Sequence, residues 1–191
     1  MKNTLLFTSI ILSLFSSFSF SSERFILESD ISSLSFATIK KQYIVEPASI
    51  TKLSGSIDEI GSFEISADLK NIDTGVAIRD VRLNDLFFES SKFPLVKVTG
   101  KIVWPLLNEG SSKITIPTEV TLFGKTKSIN FPLIILKTND TIMASSSIPV
   151  IITASDFGIP SDNLVRLADT VGGIKISEQV PVSINITFKK Q

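Results

Sequence analysis

Apolar side chains recur at every second position through most of this chain, and that alternation calls for extended strands with one face turned inward. Leu34, Phe36 and Thr38 share a face, as do Phe63, Ile65, Ala67 and Leu69, and then Val96, Val98, Ile102 and Trp104. The same spacing runs through Ile114, Ile116, Val120 and Leu122, through Ile129, Phe131, Leu133 and Ile135, and through Ile142, Ala144, Ile148, Val150 and Ile152. Val180, Val182, Ile184, Ile186 and Phe188 complete it. Turns rich in Gly, Asn and Asp separate the sets, for example Asp58-Glu59-Ile60-Gly61 and Asn108-Glu109-Gly110, so roughly eight strands are expected. No helical pattern is long enough to cross between parallel strands, which leaves an antiparallel meander. The expected fold is all-β: an eight-stranded antiparallel barrel, with a two-sheet sandwich as its rival. A barrel of eight strands has room inside for side chains or for one slender ligand.

Two stretches break the alternation. Leu83 to Glu89 reads as a short helix with Asn84 as N-cap, Asp85 at its positive end and Leu83 stapled against Phe88. It would set Phe87 and Phe88 at one end of the barrel. Asp156 to Asn163 reads as a loop, followed by a helical turn from Leu164 to Asp169.

The first 21 residues have the layout of a secretory leader: Lys2, an apolar run from Leu5 to Phe15, then small residues from Ser16 to Ser22. Ser19 and Ser21 supply the small side chains that a cut before Ser22 needs. The apolar run is about half the length of a spanning helix, so a cleaved leader is expected rather than an uncleaved anchor. The remainder, 22–191, fits a single domain in the periplasm.

Composition removes several kinds of chemistry. The chain has no Cys, so no disulfide, lipid-modified cysteine or thiolate nucleophile exists, and no His, which takes away the commonest general base and metal ligand. Lys plus Arg and Asp plus Glu stand at 19 each, so nothing draws the chain to nucleic acid. No basic amphipathic helix suggests a membrane-surface mode, and no stable membrane insertion is expected. Ser49-Ile50-Thr51-Lys52 and Ser161-Asp162-Asn163 match two parts of the penicillin-binding set, yet the first enters a strand and the third part is missing. Gly124-Lys125-Thr126 resembles the end of a phosphate loop, but Glu119 occupies the first glycine's place, so it is read as a strand-connecting turn. Asp58 with Glu59, and Asp80 with Asp85 and Glu89, are read as solvated turns and helix ends. No catalytic residue, metal site or cofactor is expected.

The segment Asn71-Ile72-Asp73-Thr74-Gly75, followed by Arg79-Asp80, Phe87-Phe88 and Phe93-Pro94, resembles the YceI-like family of periplasmic isoprenoid-binding barrels. Leu122-Phe123-Gly124-Lys125-Thr126-Lys127 and Asp156-Phe157-Gly158-Ile159 extend the likeness, as do Ser35-Phe36, Lys40, Glu46 and Gly55. The resemblance implies a lipocalin-like barrel whose apolar channel takes a polyisoprenoid chain, such as a prenyl pyrophosphate or a quinone tail. On that reading Phe36, Phe63, Leu69, Phe87, Phe88, Phe93, Val98, Trp104, Phe131, Ile148 and Phe157 are candidates for the channel wall, each with simple core filling as its alternative. Arg79 and Lys40 are candidates for the head group; the alternative for Arg79 is a structural ion pair with Asp73 or Asp80. The expected function is a periplasmic lipid carrier; the alternatives are an interaction protein with a filled barrel and a carboxylate enzyme acting on the head group. An isoprenoid lipid is the expected partner, and pairing of two chains into a homodimer through a strand edge stays open.

Overall fold

The computed structural model describes residues 24–191, so the leader assigned to 1–21, and the first two residues of the domain assigned to 22–191, lie outside the described residues. Twelve strands follow one another: β1 (Phe25–Leu27), β2 (Ser33–Lys40), β3 (Ile44–Ile50), β4 (Leu53–Ile57), β5 (Ser62–Asp68), β6 (Ile72–Asp73), β7 (Leu95–Lys101), β8 (Gly110–Leu122), β9 (Lys125–Lys137), β10 (Thr141–Ser146), β11 (Val150–Thr153) and β12 (Gln179–Lys190). Hydrogen bonds link eight of them in the order β1-β4-β5-β7-β8-β9-β10-β12, and β12 pairs back onto β1, which closes an antiparallel ring. The remaining strands lengthen the wall. A short break at Ser29–Ile31 divides β1 from β2, which continues along β12 with Phe36 opposite Val182, while β11 prolongs β10.

Alternation places the side chains as the sequence requires. In the longest hairpin, β8 and β9 are each 13 residues and stay in register from Gly110 opposite Lys137 to Leu122 opposite Lys125. Ile116, Val120, Phe131, Leu133 and Ile135 are buried on the inner face. The two turn residues, Phe123 and Gly124, have φ of 51° and 74°, the left-handed pair that follows the twist of a tight hairpin. Thus Gly124-Lys125-Thr126 belongs to a β-turn and the following strand.

Two helices cover one end of the ring, α1 (Ala77–Arg82) and α2 (Ser161–Asp169). The first corrects the sequence expectation, because the helix begins at Ala77 and Asn84 is no N-cap. The Asp80 carboxylate accepts from Thr74 N–H at 2.9 Å and from Thr74 Oγ1 at 2.5 Å, so it folds the preceding turn onto the new helix. Asn84 lies one turn further on and donates its amide to Asp80 O at 3.0 Å. From Leu83 to Phe87 the helix widens to a π-turn, with Phe88 N–H bonded to Leu83 O at 2.9 Å. The second helix also starts earlier than expected, taking in Ser161, Asp162 and Asn163.

The other end is closed by packing. Phe25, Ile102 and Leu107 are buried there. Outside them Trp104 lies against Phe25 at a ring separation of 6.1 Å and donates its indole N–H to Glu59 O at 2.8 Å.

Candidate ligand-binding tunnel

Because alternate residues from strands all round the ring point inward, their side chains line a common hollow running along the barrel axis. Its free space is about 190 Å³. Strands of 13 residues at about 3.3 Å per residue, tilted by about 40°, give the wall an axial depth of about 30 Å. The lining is almost wholly apolar. Its polar residues are Thr38, Thr118, Ser177 and, at the helical end, Glu178; the hydroxyls of Thr118 and Ser177 donate to Ile129 O and Gln179 O. Water in a cavity needs two to four polar partners, and this wall offers too few. The hollow is therefore large enough for water and chemically suited to hydrocarbon.

Eight of the eleven wall residues expected from the sequence line this tunnel: Phe36, Phe63, Leu69, Phe87, Phe88, Val98, Phe131 and Phe157. Three do not. Trp104 keeps the inward parity of β7, but the chain leaves the strand in a tight turn, Trp104–Leu106, that contains Pro105, and the ring ends up outside the closed end. Ile148 falls in the break between β10 and β11, where Ser146 Oγ takes the Ile184 N–H out of the ladder; the chain bends away from the wall there and Ile148 is 59% exposed, while the same parity lines the hollow again at Ile152. Phe93 stacks on Phe123 at 4.2 Å and braces the β8–β9 turn from outside.

At the helical end a second hollow of about 150 Å³ adjoins the tunnel, and Thr38, Leu83, Leu167 and Ile176 line both. Lys40, Arg79 and Arg82 bring positive charge to this mouth. Both cations singled out from the sequence are there, but the ion-pair partner of Arg79 is neither Asp73 nor Asp80. Arg79 bonds Glu46 at 3.0 Å, and Lys40 pairs with the same carboxylate. The two aspartates are held within their own turn, Asp80 by Thr74 and Asp73 by Gly75 N–H at 2.7 Å. Glu46 comes from the mouth end of β3, which bonds β6 only at Ser49 and Ile50 and so leaves a free edge that α1 reaches through Arg79.

A model of the YceI-like domain matches residues 25–188. The chain belongs to the YceI-like family. No curated protein matches the chain. Among solved structures, a polyisoprenoid binding domain from Saccharophagus degradans implicated in plant cell wall breakdown is 24% identical, with a TM-score of 0.82 over 87% of this chain and 98% of that one. BcnA from Burkholderia cenocepacia is 16% identical, with a TM-score of 0.64 over 84% of this chain and 98% of that one. At these identities the likeness is one of fold.

Two groups at the mouth of this YceI-like barrel were not singled out from the sequence as site or anchor residues. Arg82 lies three residues after Arg79, on a neighbouring helical position that becomes visible only once the helix is known to begin at Ala77. Asn163 is 2% exposed; its amide donates to Phe87 O at 3.0 Å and to Glu89 Oε1 at 3.1 Å, and its carbonyl oxygen accepts from Arg166 at 2.6 Å. It ties α2 to the end of the first helical segment, where Glu89 turns the chain with a φ of 46°.

Glu89 also links the mouth to pH. Hydrogen bonds from Lys92 and then Asn163, helped by the charges of Lys92 and Arg166, hold its carboxyl below the usual carboxylate range against a smaller effect of burial. A lowered folded-state pKa contributes stability above the unfolded value of about 4.3 and loses it as pH falls through the folded value. The contribution is modest because solvent reaches the pair. Melting temperatures measured from roughly pH 6 down to pH 3 should fall less steeply for Glu89→Gln than for the native chain; equal slopes would mean the interaction does not persist in solution.

Proposed function

We propose that the chain is an exported carrier that holds one long isoprenoid lipid in its tunnel, and that it carries out no reaction on that lipid. The observation that supports this most is a hollow spanning most of the barrel whose wall presents hydrocarbon and almost no hydrogen-bonding group. A barrel filled by its own side chains, the rival reading, would have no such space. Removing a CH₂ group from water is worth about 0.8 kcal/mol, so one five-carbon unit gains about 4 kcal/mol. Immobilising a ligand costs about 4–15 kcal/mol. One unit is then too little and a chain of several is enough, which favours a long prenyl tail over a small apolar molecule.

The YceI-like fold and the name of the Saccharophagus degradans relative as a polyisoprenoid binding domain support the same class of ligand. Export follows from the leader-like start of the sequence, and a lipid in an aqueous compartment needs an enclosing carrier. The test is direct. Protein expressed with its leader, purified without detergent, and extracted for mass spectrometry should release a prenyl lipid in near-stoichiometric amount. Repeated recovery of empty barrels from cells that contain such lipids would rule out the cargo role.

A further inference from the structure

Exposed apolar side chains stand at both ends of the barrel, Ile60, Val103 and Leu106 at the closed end and a larger set at the mouth. Three separate segments supply the set at the mouth. The β2–β3 hairpin presents Tyr43 at 85% exposure with Ile44 and Val45, the turn into α1 and its outer face present Val76, Ile78 and Val81, and the loop after α2 presents Val171. These segments are linked to one another: Lys41 N–H bonds Lys175 O at 2.9 Å, Ser177 N–H bonds Ile39 O at 2.8 Å, and Arg79 meets Glu46 of β3. Val76, Ile78 and Val171 also line the outer hollow, so the exposed surface reaches the space that adjoins the tunnel.

Cations stand among these side chains. Among the described residues, no carboxylate lies within the 4 Å of an ion pair from Lys41, Arg82 or Lys175, and Lys40 with Arg79 outnumbers the one Glu46 that they share. Acidic groups stand at the same end: Asp73 and Asp80 are turned onto backbone N–H groups of the Thr74–Gly75 turn, while Asp85, Asp169 and Glu178 are exposed. An apolar rim set with unpaired cations fits one kind of surface in particular, a bilayer with anionic head groups, where apolar side chains enter the boundary and Lys and Arg meet phosphate. A protein partner would call for a shaped groove, whereas these residues surround an opening.

We propose that the mouth of the barrel docks on an anionic phospholipid bilayer, with Tyr43, Val45 and Val81 entering the head-group region and Lys41 and Lys175 contacting its phosphates. Docked in this way, the tunnel opens directly onto the bilayer, and a prenyl chain passes between membrane and protein without crossing water. The inference rests on the carrier reading for its purpose, but its test does not depend on cargo.

The experiment is flotation of the leader-free chain with vesicles of phosphatidylethanolamine and phosphatidylglycerol, compared with pure phosphatidylcholine. The native chain should float with the anionic vesicles, less so in high salt, and poorly with the neutral ones. A Tyr43→Ser, Val45→Ser, Val81→Ser variant and a Lys41→Ser, Lys175→Ser variant should each lose about tenfold in vesicle affinity. Ile134→Ser with Met143→Ser, on the outer wall of β9 and β10, should float like the native chain. Prenyl lipid extracted from each purified variant is measured in parallel, so that failure of docking is distinguished from failure of cargo binding. Docking at the mouth is overturned if the native chain does not float, if neutral vesicles serve equally well, if the wall variant loses as much as the rim variants, or if light scattering shows that the rim instead pairs two copies of the chain.

Discussion

Ala144→Phe should leave a folded barrel that no longer retains lipid. Ala144 lies on β10, opposite Ile135 of β9 and Ile186 of β12, and its small side chain is part of the tunnel wall. A benzyl group there projects into open space rather than into a filled core. Overpacking of a dense core costs about 1–3 kcal/mol, but here the added ring gains apolar contacts, and the two effects oppose one another. The melting temperature should stay within about 5 °C of the native value, while prenyl lipid recovered by extraction falls by about tenfold or more. Undiminished lipid in a folded Ala144→Phe protein would mean that the cargo does not pass this level of the barrel.

Gly61→Ala should have the opposite profile, a large loss of stability without any direct effect on the tunnel. Gly61 turns the chain between β4 and β5 at a φ of +85°, and a Cβ placed there would lie 2.1 Å from Ile102 O. That oxygen belongs to backbone held in place, since Ile102 N–H bonds Gly61 O at 2.7 Å and Trp104 fastens the same turn through Glu59. The clash cannot be relieved by rotating a side chain. Strain at φ and displacement of backbone together should cost about 3 kcal/mol or more, lowering the melting temperature by about 6–12 °C for a chain of this size. A loss under 1 kcal/mol in denaturant titration would show that the closed end is much more pliant than its packing indicates.

The strand pattern was readable because a strand has a period of two and this barrel has one wet face and one dry face, so each side chain reports its own side. That is why Phe36, Phe63, Val98 and Phe131 could be placed inward from parity alone. The same rule placed Trp104 and Ile148 wrongly where the strand stops: Pro105 turns the chain at one site, and the wall is interrupted between β10 and β11 at the other. The start of α1 was missed for a related reason. Its signal lies in Asp80, which accepts from Thr74 six residues earlier, and no periodicity marks such a bond.

By itself the sequence determined that the backbone would run as about eight amphipathic strands, that no disulfide, thiolate or histidine would take part, and through Asp73-Thr74-Gly75, Arg79-Asp80 and Asp156-Phe157-Gly158 which family the chain would resemble. Only the tertiary structure decided that the barrel is hollow, that its two helices cover the same end, and that Arg79 and Lys40 share Glu46. Parity tells which way a side chain points, but the space left in the middle depends on how far apart the opposing walls stand, and the partner of a charge depends on which distant strand is folded beside it.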